Sequence, residues 1–149
     1  MNQMQLWGRT DIGLVRRENQ DDFAMEQLPS GHTAGVVCDG MGGAAGGREA
    51  SRIAVTTYME ELKRCLTADM TPQQILEASA QAVSRANEAI REVAARREEC
   101  RNMGTTLVSA VSCEGGAAVT NVGDSRAYHI SEDGITRITK DHSLVESMV

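Results

Sequence analysis

The sequence predicts an α+β fold in which short antiparallel strands precede and follow a contiguous pair of helices. Two observations carry that prediction. Apolar and polar residues alternate in short segments toward both ends, bounded by Gly, Pro, Asn and Asp, as half-buried strands require. Between them, from Ala44 to about Val93, apolar residues recur every three or four positions, the period of an amphipathic helix. Because the helices do not alternate with strands, the order β-β-β-α-α-β-β-β-β implies an α+β sandwich and not a doubly wound parallel sheet.

Met4–Asp11, Asp22–Leu28 and Thr33–Asp39 read as the first strands, with Pro29-Ser30-Gly31 a turn between the second and third. The first helix runs from Ala44 to about Leu66, with Ala50, Ile53, Ala54, Tyr58 and Leu62 on one face. Thr71-Pro72-Gln73-Gln74 opens the second helix. Thr71 is the N-cap, Pro72 has its φ pre-set for the first helical position, and Gln74 reaches back to complete a capping box. Ile75, Ala78, Ala82, Val83, Ala86, Ile90 and Val93 continue it as one apolar stripe, and Arg96-Arg97-Glu98-Glu99 ends it as a solvated mixed-charge cluster. Thr105–Cys113 and Ala117–Val122 flank a hairpin turn at Glu114-Gly115-Gly116. Ser125–Ile130 and Ile135–Ile138 flank a second at Ser131-Glu132-Asp133-Gly134. No repeat, linker or low-complexity stretch divides the chain, so 1–149 reads as one domain.

Composition narrows the function. At 149 residues with 41% hydrophobic content the chain can bury a sizeable core, but only 3% is aromatic. That core therefore rests on Val, Ile, Leu, Ala and eight Met. A net charge of −6 argues against the basic face that nucleic acid demands. The polar start, Met1-Asn2-Gln3-Met4-Gln5, does not read as a signal peptide, and no run resembles a membrane span. Four widely spaced cysteines without a C-x-x-C (Cys38, Cys65, Cys100, Cys113) argue against zinc and for free thiols, with a cytoplasmic location as the default expectation.

The chemistry concentrates at Val36-Val37-Cys38-Asp39-Gly40-Met41-Gly42-Gly43. A short apolar strand delivers the Asp39 carboxylate into a glycine-rich turn whose backbone is free to approach a ligand closely. An ionised Asp at a strand end costs free energy unless something positive neutralises it, and a divalent cation takes oxygen ligands of this kind. Asp-Gly is also a common turn dipeptide, so a plain turn is the competing reading. Gly40-Met41-Gly42-Gly43-Ala44-Ala45 fits the loose G-x-G-x-x-A of dinucleotide sites, but Asp39 immediately before it would repel a pyrophosphate. Metal at Asp39 is favoured over nucleotide at the glycines.

Two further clusters matter. In Asn121-Val122-Gly123-Asp124-Ser125-Arg126, strand alternation puts Ala118, Thr120, Val122 and Asp124 on one face, and taken alone Asp124 would pair locally with Arg126. Near the N-terminus, Arg16 precedes the acidic block Glu18-Asn19-Gln20-Asp21-Asp22. Its guanidinium could offer a phosphate two parallel charge-assisted bonds, although a lone Arg is usually a surface charge.

In order, the blocks are Thr10-Asp11-x-Gly13-x-x-Arg16-x-x-Asn19-Gln20-Asp21, Asp39-Gly40-Met41-Gly42-Gly43, Gly46-Gly47-x-x-Ala50-Ser51, Gly104-Thr105-Thr106, Asn121-Val122-Gly123-Asp124-Ser125-Arg126 and Thr139-Lys140-Asp141-His142-Ser143. Together they resemble the bacterial type 2C protein phosphatases, metal-dependent serine/threonine phosphatases of the PPM class. The resemblance implies an α-β-β-α sandwich, two antiparallel sheets flanked by helices. It also implies a site for two Mn²⁺ or Mg²⁺ ions and, in bacterial members, a third, weaker ion. It assigns Asp39 to the carboxylate that bridges the two ions, the backbone carbonyl of Gly40 to one coordination shell, and Asp124 to the third ion. Asp21 falls near the metals, acting through water, and Arg16 falls on the residue that holds the substrate phosphate. The implied reaction is hydrolysis of phosphoserine or phosphothreonine in a protein by a metal-activated water, with no nucleophilic Ser or Cys. The implied partners are phosphoproteins, among them a bacterial serine/threonine kinase or its targets.

Three departures accompany the resemblance. Gln20 stands where many members carry Glu, which removes one charge beside the site. Met41 stands where eukaryotic relatives carry a histidine, as it commonly does in bacterial members. Family domains also continue beyond the Asp-His-Ser block and supply two more metal-binding aspartates, whereas this sequence stops at Ser147-Met148-Val149. The expectation is therefore a C-terminally incomplete domain, with exposed apolar faces that favour self-association. Three functions are compatible with it: a portion of a phosphatase, a non-catalytic phosphoprotein- or partner-binding module, and a half-domain completed by another chain.

Overall fold

Thr71 starts the longest helix as the sequence predicts: its hydroxyl accepts from the Gln74 amide at 3.2 Å, and the Gln74 side chain accepts from the Thr71 amide at 2.9 Å. A cap of this kind stabilises a helix by about 1 kcal/mol. The computed structural model describes residues 4–142. Its elements are β1 (Asp21–Gln27), β2 (Thr33–Met41), α1 (Gly43–Cys65), α2 (Pro72–Arg96), a 3₁₀ turn at Glu98–Cys100, β3 (Gly104–Thr105), β4 (Leu107–Cys113), β5 (Gly116–Val122), β6 (Tyr128–Ser131) and β7 (Gly134–Arg137).

The strands form two antiparallel sheets, so the α+β class is as predicted. The larger has the order β1-β2-β4-β5, with β3 extending the pairing on β2; β6 and β7 form a separate ribbon. Both predicted hairpins are present, Cys113 pairing with Gly116 and Ser131 with Gly134.

Strand alternation divides the large sheet into two unlike faces. Ala34, Val36 and Cys38 of β2, with Val111 of β4, are buried in one core with Ile53, Tyr58 and Leu62 of α1 and Ile75 and Ala82 of α2. Within it the Tyr58 hydroxyl hydrogen-bonds Ser109 of β4, which satisfies two buried hydroxyls at once. Burial pushes the Cys38 thiol up to about 12, as expected of a small core hydrophobe. The other face carries Val37, which is 48% exposed, followed by Asp39 and Met41.

Several expected elements differ. Met4–Asp11 is not a strand. The chain there crosses over the side chains of β1 instead of joining its edge: a Cβ at Gly8 would lie 2.2 Å from Met25 Cε and 2.5 Å from Phe23 Cε2. The strand predicted from Ser125 begins only at Tyr128, because Gly123, at φ +101°, turns the chain out of β5. That bend also takes Asp124 off the strand, so the predicted alternation from Ala118 ends at Val122. Arg126 does not pair with Asp124; it forms a two-pronged ion pair with Asp141, Nη2 to Oδ2 at 2.6 Å and Nε to Oδ1 at 3.0 Å. Ser143 of the last motif and the final residues 147–149 lie outside the described residues, as do residues 1–3 of the polar start. The four cysteines are free, and among the described residues no helix is long and apolar enough to cross a membrane.

Candidate metal centre

The antiparallel ladder of β1 and β2 is in register from Gln27↔Thr33 to Asp21↔Asp39. Cross-strand partners share a face, so the last pair sets two carboxylates side by side on the surface opposite α1 and α2. Residues 11–20 fold back beside them and close a cleft of about 260 Å³, lined by Asp11, Arg16, Glu18, Gln20, Asp21 and Asp39 among others. Burial pushes the Asp39 carboxyl up from its ordinary value, the facing Asp21 raises it further by hydrogen bonding and charge, and the Arg16 guanidinium opposes both. Four acids and one arginine therefore share this cleft.

The loop that carries Arg16 is held by its own polar residues. Asp11 Oδ1 accepts from the Gly13 amide at 2.7 Å, where φ is +79°. Asn19 donates to the Thr10 hydroxyl at 2.7 Å and accepts from the Asp21 amide at 3.0 Å. Asn19 thus ties the start of the loop to the start of β1. From sequence alone Asn19 has no assigned role; the signal for it is its Asx spacing, two residues before Asp21.

The glycine turn is built by close approach. A Cβ at Gly40 would lie 1.8 Å from the Gly47 carbonyl oxygen and 2.9 Å from that of Gln20. The Gly40 amide donates to the Gln20 carbonyl at 3.1 Å, and the Gln20 side-chain amide donates to the Gly43 carbonyl at 2.5 Å. Gln20 therefore clamps the turn to the acidic block, a bond that an ionised Glu could not donate. Gly42 and Gly43 have φ +122° and +86°, so they supply the left-handed backbone that starts α1.

Of the residues singled out from the sequence, Arg16, Asp21 and Asp39 line one cleft. Gly40 adjoins it without lining it, and Asp124 lies in the bend after β5, outside the lining. Among the described residues no three His, Cys, Asp or Glu side chains converge as a metal cluster. The donors present still suit a hard divalent cation: two facing carboxylates, one of them held back from ionising first by burial and then by the other, give up that repulsion when a cation sits between them.

Solved structures that match this fold include bacterial serine/threonine phosphatases. Stp1 from Staphylococcus aureus matches with a TM-score of 0.80 and 33% identity, over 94% of this chain and 54% of that one. A PstP catalytic domain in complex with 2 manganese ions matches with a TM-score of 0.76 and 28% identity, over 94% of this chain and 56% of that one. The chain matches the protein phosphatase 2C family over residues 16–144 and belongs to it. Serine/threonine phosphatase stp of Listeria innocua is 33% identical over 141 residues, 95% of this chain and 56% of the relative. The chain thus spans just over half the length of such relatives.

Proposed function

We propose that the chain carries metal and phosphate ligands of a phosphoprotein phosphatase acting on phosphoserine or phosphothreonine. The observation that carries this is the meeting of Asp21, Asp39 and Arg16 in one cleft. Asp39 is the carboxylate that would bridge two Mn²⁺ or Mg²⁺ ions, the Gly40 carbonyl would complete a shell, Asp21 would act through water, and Asp124 would serve a third ion. When bound, the ions supply positive charge and an acidified water. The chain's own contribution is positioning: phosphoryl transfer asks little covalent work of the protein. Arg16 would hold and orient the phosphate as a fork, while the Asn19 bond ties its loop to β1 and the Gln20 bond ties that loop to the glycine turn after Asp39. The substrate would be a phosphoprotein, with a bacterial serine/threonine kinase or its targets the natural candidates, and the cytoplasm its expected compartment.

The test is hydrolysis of an aryl phosphate by the purified chain with and without Mn²⁺, beside Asp39→Ala. Turnover that needs both Mn²⁺ and Asp39 supports the proposal. A folded chain that binds Mn²⁺ but does not turn over favours a second reading, a phosphoprotein-binding module or a half-site completed by another chain. That reading has its own observation: although four acids line the cleft, among the described residues no three of them converge, where a cation in such a site relies on several anionic oxygens.

A further inference from the structure

Thr106 sits between two parts of the site that are far apart in sequence. It is 4% exposed, in the break between β3 and β4, and it holds Asp39 by both main-chain groups. The Thr106 amide donates to the Asp39 carbonyl at 2.9 Å, and the Asp39 amide donates to the Thr106 hydroxyl at 3.0 Å. In a regular ladder the Asp39 amide would take a main-chain carbonyl as its partner. Here the Thr106 carbonyl accepts from the Thr105 hydroxyl at 2.9 Å, and the Asp39 amide donates to the Thr106 hydroxyl instead.

The same hydroxyl lies 2.6 Å from Ser125 Oγ, in the loop that carries Asp124. Having accepted from Asp39, it has its own proton free for Ser125. Its methyl is the other half of the contact: a Cβ at Gly123 would come within 2.7 Å of Thr106 Cγ2. One β-branched residue thus touches the strand end bearing Asp39 through oxygen and the Asp124 loop through oxygen and carbon.

Resting on the metal-centre reading above, we infer that Thr106 is a positioning residue that couples the Asp39 turn to the Asp124 loop, so that order at one is felt at the other. A serine could keep the oxygen contacts, and a valine only the shape.

The test uses the full chain with Thr106→Val, Thr106→Ser and Ser125→Ala, read by amide hydrogen exchange in chelator and by Mn²⁺ binding calorimetry. Thr106→Val should speed exchange at Asp39 roughly fivefold, the worth of one net hydrogen bond. Ser125→Ala leaves every Asp39 contact in place, yet should speed the same amide about twofold and weaken Mn²⁺ binding in the same direction as Thr106→Val. Thr106→Ser should restore both toward wild type. An Asp39 amide indifferent to Ser125→Ala overturns the coupling, as does a Thr106→Ser variant no better than Thr106→Val, which would reduce Thr106 to packing. If wild type takes up no Mn²⁺, the metal reading fails by itself, while the exchange rates still decide the coupling.

Discussion

Asp21 and Asp39 occupy one cross-strand pair of the β1–β2 ladder, with the Arg16 guanidinium acting on Asp39 against the burial and repulsion it meets. Like charges directly opposed across a sheet are destabilising. In chelator, Asp39→Asn should therefore raise the urea midpoint, by about 0.5 kcal/mol in stability. Adding Mn²⁺ should reverse the order, because wild type gains binding free energy that the amide variant lacks. Urea titrations of both proteins, with and without Mn²⁺, check this. An Asp39→Asn variant less stable than wild type in chelator would mean that the pair is held by something other than a shared cation.

Gly40 gives a sharper steric prediction. Its missing Cβ faces the Gly47 carbonyl oxygen at 1.8 Å and the Gly47 carbonyl carbon at 2.5 Å, main-chain atoms that cannot swing aside. Gly40→Ala should cost about 3 kcal/mol, the upper end for forced overpacking, and lower the melting temperature accordingly. Gly116→Ala is the control: nothing lies within 4 Å of its Cβ and its φ is not positive, so its stability should stay near wild type. Equal losses at both positions would refute the close-approach account.

These two sites mark how far the sequence reaches. The split of β2 into Cys38 inward and Asp39 outward follows from alternation alone, and the Thr71–Gln74 cap follows from residue type and spacing. The partner of Asp39 does not. Register is set by the turn after Gln27, so Asp21 and not Asp22 arrives opposite. Arg126 had two acids to choose from, and what separates them is the φ of +101° at Gly123, which carries Asp124 away from the strand. Leu6 and Trp7 lie among polar neighbours as in a strand, yet the same pattern serves a segment that crosses over Phe23 and Met25. In each case a local pattern was satisfied equally well by two tertiary arrangements. The use of Gln20 as a clamp was hidden for a related reason: its bond is to a main-chain carbonyl 23 residues away.

The Arg126–Asp141 pair should act as a clasp on the segment after β7. Beside it, the Ile138 amide donates to Ala127 at 2.9 Å, the His142 amide to Gly123 at 2.9 Å, and Asn121 Nδ2 to the Lys140 carbonyl at 2.9 Å. The Arg126 hydrogen bonds hold the Asp141 carboxyl below its ordinary value of 3.8. A carboxyl depressed in this way contributes order that is complete above its ordinary value and disappears as pH falls through the lower, folded one. Exchange protection at Ile138 and His142 should thus be flat from neutral pH down to about 4 and decline below it. Arg126→Lys keeps the charge but not the fork, and should lose most of that protection at neutral pH. Protection unchanged in Arg126→Lys would assign the order of this segment to its main-chain bonds alone.

At the alkaline end the relevant group is Tyr58, fully buried with its hydroxyl on Ser109. Burial pushes its phenol above the ordinary value of 10.0, against a smaller opposing contribution from its hydroxyl neighbours. A group raised on folding contributes stability that is intact below its unfolded value and is lost as pH rises toward the folded one. Below pH 10, Tyr58→Phe should cost about 1 kcal/mol for the lost hydrogen bond and the orphaned Ser109 hydroxyl. Above pH 10 the phenol ionises more readily in the unfolded chain than in the fold, which costs the wild type up to about 1.4 kcal/mol per pH unit. The Tyr58→Phe variant has no phenol to ionise and escapes that penalty, so the gap between the two proteins should shrink as pH rises past 10. Urea unfolding followed by circular dichroism from pH 8 to 11 gives both curves. Parallel curves would mean that the phenol reaches water before the fold is lost, and would place the weak point of the core between α1 and β4.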